Sequence, residues 1–179
     1  MIIFLDIDGV LHPETCYRSD LQLCEMRRLV GVLQDFPQTR IVISSTWREK
    51  RSLQDLQLLF PPDVQTRVIG LTPAWQDFDH VVYNYHRQAE IEAWLKANCP
   101  PWEKFVVLDD SAWLFSPFYA PLLTCDRDTG MDDLVEQRLR DRLAAEYPRL
   151  PPVRTGNLLS IRRLVDGEAI RLALCQGKK

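Results

Sequence analysis

Asp6 and Asp8 are the residues of this chain best suited to chemistry. They close a short apolar run, Ile2-Ile3-Phe4-Leu5, of the length a buried strand takes. Their i, i+2 spacing puts both carboxylates on one side of that strand. Gly9 follows at once, so the backbone can turn where a bulkier residue would clash. Two acids converging at a strand end repel each other and raise a pKa, a cost that a divalent cation with oxygen ligands offsets. Taken alone, the pair also fits a solvated strand end. Two further apolar runs weigh against that plainer reading. Ile41-Val42-Ile43 ends in Ser44, and Phe105-Val106-Val107-Leu108 ends in Asp109 and Asp110.

The elements that must position these residues follow from the pattern between them. A helix with Leu23, Met26, Val30 and Leu33 at helical spacing, capped by Ser19 or Asp20, is predicted before Pro37. Leu53, Leu56, Leu59 and Phe60 predict a second helix, stopped by Pro61-Pro62. Arg67 to Leu71 reads as a strand, residues 72–86 as an irregular aromatic-rich loop, and Ile91, Trp94 and Leu95 mark a helix from Arg87. Pro121 to Cys125 reads as a fifth strand, and residues 131–146 as a helix carrying Leu134, Val135, Leu139 and Leu143. Strands alternating with helices predict an α/β fold, a doubly wound parallel sheet with helices on both faces. In such sheets ligands bind outside the carboxyl ends of the strands, which is where all three polar strand ends fall. The core is expected to span residues 1–147. Residues 148–157, rich in proline, read as a linker. The alternating stretches around Asp166-Gly167 read as a β-hairpin, with a short amphipathic helix as the rival. Such a ribbon needs an apolar partner, either the domain or another chain.

Composition narrows the function class. The net charge of −3 gives no global attraction to nucleic acid or an anionic membrane. The five cysteines are scattered, with no Cys-x-x-Cys pair, which fits a reducing cytoplasm and argues against a disulfide framework or zinc site. No stretch approaches the length of a membrane span, and no signal peptide is visible. The expected location is cytoplasmic.

Phe4-Leu5-Asp6-Ile7-Asp8-Gly9-Val10-Leu11 resembles the first motif of haloacid dehalogenase-like (HAD) phosphohydrolases. Ile41-Val42-Ile43-Ser44 resembles their second, and Val106-Val107-Leu108-Asp109-Asp110 their fourth. The third is a lone cation, for which Arg87 is the choice and Arg48 the competitor. More narrowly, Ser44-Ser45-Thr46-Trp47-Arg48 is similar to small HAD domains associated with bacterial RNA-repair proteins. The resemblance covers roughly residues 1–145 and implies a Rossmann-like core with minimal or no cap.

It also implies roles. Asp6 would be the nucleophile that forms an aspartyl-phosphate, and Asp8 the acid that protonates the leaving oxygen and then activates water. Mg²⁺ would be held by Asp6, the Asp8 backbone carbonyl and Asp110, with Asp109 beside it. Ser44 would hold a phosphoryl oxygen, and Arg87 would offset charge on the transferring group. The expected activity is Mg²⁺-dependent phosphomonoester hydrolysis on a bulky substrate, a polynucleotide end first. The alternatives are a phosphatase of nucleotides or sugar phosphates, and a non-catalytic binding or regulatory module. Dehalogenase chemistry is disfavoured by Asp8. Expectation is lower for others. His12, with no partner visible, reads as structural; the tryptophans read as core or interface, with Trp75 the best exception; Asp126 and Asp128 follow the fifth strand without a stated role.

Overall fold

In the computed structural model, which describes residues 1–16, 22–77 and 84–147, every strand pairing is parallel. The strands are β1 (Ile2–Leu5), β2 (Arg40–Ile43), β3 (Val68–Leu71), β4 (Phe105–Asp109) and β5 (Leu122–Thr124). They form one five-stranded sheet in the order β3-β2-β1-β4-β5, so the strand that opens the chain is the central one. Its neighbours bury it from both edges and helices bury it from both faces, which is why its sequence is an unbroken apolar run. Ile2 and Phe4 pack with Val42, Val107, Ile91 and Trp94 on one face. Ile3, Leu5 and Ile7 pack with Leu29, Leu33, Leu139 and Leu143 on the other.

The first of those faces is covered by α4 (His86–Asn98), the second by α1 (Met26–Asp35) and α5 (Asp133–Glu146), with α2 (Leu53–Gln57) and α3 (Pro62–Gln65) adding Leu56 and Val64. Helices on both faces of an all-parallel sheet make this the α/β, Rossmann-like core that the sequence predicts. Among the described residues, no extra sheet is inserted between β1 and β2 or between β3 and α4. None of their helices is long and apolar enough to cross a membrane.

The expected elements shift in four places. The first helix begins at Met26, because Glu25 N–H donates to the Leu11 carbonyl at 2.9 Å and Leu23 takes φ of 58°, so the backbone ahead of Met26 is tied to the loop after β1. Its buried residues are Met26, Leu29, Val32 and Leu33, while Val30 is only half-buried. The second predicted helix is two. A Ser52/Asp55 capping box starts α2, and Pro62 takes the first position of α3, where its missing N–H costs nothing. In the aromatic-rich loop Trp75–Asp77 forms a 3₁₀ turn, and α4 starts one residue early, at His86. Finally, α5 begins at Asp133 after the cap Asp132, and Leu134 points outward at 55% exposure. Among the described residues, Cys24, Cys99 and Cys125 are free thiols. The proposed caps Ser19 and Asp20, the linker and the hairpin lie outside the described residues.

Candidate active site

Register alone lines up most of the site. Leu5 pairs with Ile43 and with Leu108, and Ile43 pairs with Leu71. One residue further along, Asp6 therefore stands beside Ser44 and Asp109, and Ser44 beside Thr72. The ladder continues through this level: Ser44 N–H donates to Leu5 at 2.9 Å, Asp6 N–H to Leu108 at 3.0 Å and Thr72 N–H to Ile43 at 3.0 Å. Neighbours at one level of a parallel sheet point to the same face. The row Thr72–Ser44–Asp6–Asp109 thus crosses the carboxyl ends of four strands on the α4 side, and all four residues are buried.

Arg87, the second residue of α4, projects into this row. Its Nη1 lies 3.3 Å from Asp6 Oδ2 and 3.4 Å from Asp109 Oδ2, and it donates to the Ser44 carbonyl. One turn along the helix, buried Glu90 sits 3.6 Å from Arg87 Nε and 2.5 Å from Arg48 Nη2, and accepts from Trp75 N–H at 3.0 Å. Arg48 is turned to the backbone, donating to the Ser44 and Ser45 carbonyls at 2.9 and 2.7 Å. Of the two cations weighed from sequence, Arg87 reaches the acids, and Arg48 braces the loop that follows β2.

Asp8 projects from the turn after β1, more exposed than Asp6, and both its oxygens are engaged. Trp47 Nε1–H donates to Oδ2 at 2.8 Å, and His12 Nε2 meets Oδ1 at 3.0 Å. Leu23 N–H points at His12 Nδ1 at 3.4 Å, which makes Nδ1 the acceptor and Nε2 the nitrogen that carries the proton toward Asp8. Gly9 adopts φ of +67°, and a Cβ there would lie 2.5 Å from Asp110 Cγ and Oδ2. The turn therefore needs glycine twice, for its left-handed backbone and for the carboxylate packed on it. Asp110 accepts from Ser111 Oγ at 2.9 Å and from Arg127 Nε at 3.2 Å; Arg127 also pairs with Glu14 at 2.9 Å and lies over the Trp113 ring at 4.9 Å.

The electrostatics follow from burial. Desolvation pushes the Asp6 carboxyl up, against the pull of Arg87 and hydrogen bonds from Ile7 N–H and the Ser45 hydroxyl. Asp109 is pushed up to about 8, by burial first and then by the Asp6 charge. Burial also raises Glu90, in spite of Arg48 and Arg87. For Arg87 burial works downward, but Asp6, Asp109 and Glu90 outweigh it and hold the guanidinium more firmly protonated than usual. Burial lowers Arg48.

Asp6, Asp109 and Asp110 each offer an oxygen within 4.8 Å of the others. Asp109 Oδ2 has no hydrogen-bond donor, and neither Ser44 Oγ nor Thr72 Oγ1 has a hydrogen-bond partner. A donor set made only of hard carboxylate oxygens, with excess negative charge, fits a divalent cation such as Mg²⁺ and not a soft metal. The hydroxyls on the same row fit the oxygens of a tetrahedral anion. Asp126 and Asp128 stay outside: Asp126 Oδ1 accepts from Asp128 N–H at 2.8 Å and Thr129 N–H at 3.2 Å in its own turn.

Sequence reasoning passed over Glu90 and Thr72, and it weighed His12 and Trp47 without foreseeing that both meet Asp8. Glu90 had a signal. The inward stripe Trp94, Ile91 continues backward at helical spacing to Glu90 and Arg87. Thr72 had one too, as the polar end of the third predicted strand. The contact of Trp47 with Asp8 had none, because only the path of the chain after β2 brings its indole there.

No curated protein and no solved structure matches the chain. A family model does match, over residues 2–134, within the unit Met1–Tyr147, a span that includes the strand ends that meet here. The chain belongs to the family described as the HAD domain in Swiss Army Knife RNA repair proteins.

Proposed function

We propose that the chain is a Mg²⁺-dependent phosphomonoesterase that works through an aspartyl-phosphate and acts on a nucleic-acid end. The family indicates a phosphohydrolase-type role. The observation that carries the finer reading is Asp6 paired with Arg87 and flanked by Ser44 on the neighbouring strand, with Asp8 two residues on.

Asp6 attacks phosphorus as the bond to the leaving oxygen breaks, and Asp8 delivers a proton to that oxygen. Asp8 then takes a proton from a water molecule that attacks the phosphoryl group. The bond to Asp6 breaks, inorganic phosphate leaves and the carboxylate is restored. Arg87 and Ser44 hold the phosphoryl oxygens as charge shifts among them. Mg²⁺ bound by Asp6, Asp110 and the Asp8 carbonyl, with Asp109 alongside, would neutralise the phosphate so that an anionic nucleophile can approach. A site with no inserted sheet above it among the described residues suits a substrate too large for a closed chamber, and the RNA-repair family supports a polynucleotide end.

Phosphate release from p-nitrophenyl phosphate tests the reaction. Turnover is expected with Mg²⁺, and its loss with EDTA and in Asp6→Asn, which keeps the side-chain shape but removes the nucleophile. Wild-type protein that neither turns over phosphate esters nor binds Mg²⁺ by calorimetry would refute the reading.

A further inference from the structure

The side of the substrate opposite the phosphate is decided by Asp8. A residue that protonates the leaving oxygen must border the space that the leaving group fills. Next to Asp8 lies a cavity of about 290 Å³, lined also by Thr46, Trp47, Glu49, Lys50 and Arg51. That volume is at the lower end for a ligand pocket and suits a single unit of a substrate.

The lining says which kind of unit. Glu49 offsets one of Lys50 and Arg51, and Asp8 offsets the other once its proton has gone to the leaving oxygen, so the cavity carries little net charge for a second phosphate. It does carry a flat surface: the Arg51 guanidinium lies 4.1 Å over the Trp47 ring, and Trp47 is pinned in place by its bond to Asp8. A pre-ordered indole with a stacked guanidinium accepts a neutral, planar heterocycle, the way single-stranded bases are held on aromatic and arginine planes. Thr46 and Glu49 add groups that can hydrogen-bond a base edge. A sugar alcohol offers no flat face to this surface, and a bis-phosphorylated sugar would bring charge that the lining does not neutralise.

We infer that the cavity beside Asp8 is the leaving-group subsite, and that the leaving group it takes is a nucleoside whose base packs on the Trp47–Arg51 pair. The inference rests on the phosphomonoesterase reading above and adds the recognition surface. A free nucleotide and the terminal residue of a strand present the same chemistry, so both are used as probes.

Trp47 also orients Asp8, so its two roles have to be separated. Trp47→Phe keeps an aromatic plane and loses the N–H; Trp47→Leu loses both. Both variants share the loss at Asp8, so the step from Phe to Leu isolates stacking. The measurement is kcat/KM for a nucleoside monophosphate, a terminally phosphorylated single-stranded oligonucleotide and a sugar phosphate. From the Phe to the Leu variant, the value for at least one nucleoside ester is expected to fall about ten-fold or more beyond any fall for the sugar phosphate. Whether the mononucleotide or the oligonucleotide carries the larger effect identifies the source, and either supports the subsite. Equal losses for all three esters would overturn the subsite and leave the phosphomonoesterase standing. A wild type inert toward all three would overturn both.

Discussion

Three acids crowd one end of the sheet, and the proton balance of the folded protein depends on them. Asp6, Asp109 and Glu90 all sit above their ordinary carboxylate range, with burial as the leading cause, and Asp109 reaches about 8. A raised pKa means that the folded state holds a proton the unfolded chain has already released. The stabilisation is full below the unfolded carboxylate range near pH 4 and is lost as pH rises toward 8. Metal-free protein is therefore expected to lose stability across pH 4–8, by an amount on the order of a few kcal/mol, and Mg²⁺ to restore most of it at the upper end. Denaturation midpoints in EDTA would show this, and Asp109→Asn should flatten the slope; stability that climbs through the window would contradict the arrangement. These acids were legible in the sequence because a carboxylate at the end of an apolar run is conspicuous. Glu90 was legible only as an inward position one turn before Trp94; its partner Arg48 comes from another element, and no local pattern shows that pairing.

Helix starts were the least legible elements, and the reason is physical. Helical spacing includes Leu23, but the amide of Glu25 is taken by Leu11, and that contact is between residues fourteen apart in a loop that no local pattern describes. The strands were legible because burial on both faces leaves only one kind of sequence able to form them. The same contrast sets expectations for α5. Its charged links to α1 run from Arg28 to Glu136 at 2.8 Å and Asp133 at 2.5 Å, and from Arg140 to Asp35 at 2.5 Å, partly exposed pairs that water and salt weaken. Its anchor in the core is Leu139, fully buried. Arg28→Ala is expected to cost no more than about 1 kcal/mol and to cost less in high salt, whereas Leu139→Ala should cost about 3 kcal/mol independently of salt. Urea titrations at two ionic strengths would separate them, and a salt-sensitive Leu139 variant would count against this division.

At the scale of the molecule, the chain divides into Met1–Tyr147 and Pro148–Lys179. Tyr147 belongs to the first unit: it packs on the core, and its hydroxyl bonds the amino group of Met1. A chain ending at Tyr147 is accordingly expected to keep a single cooperative melting transition, whereas one ending before α5 should not fold. Light scattering on the full and shortened chains would test whether residues 148–179 join copies together: a halved mass supports that role, and an unchanged mass excludes it. The central place of β1 has a further consequence, for synthesis. Ile2–Leu5 is synthesised before either of its neighbours, and β4, one of the two, begins at Phe105, about a hundred residues later. At 5–20 residues per second, this sticky strand waits roughly 5–20 s for a partner it must have, a window in which a chaperone or another nascent chain can claim it. Because Asp6 and Asp109 come from those two strands, the proposed nucleophile and the acid beside it meet only when the last central pairing closes. On the proposed mechanism, the newborn protein cannot carry out its chemistry in part.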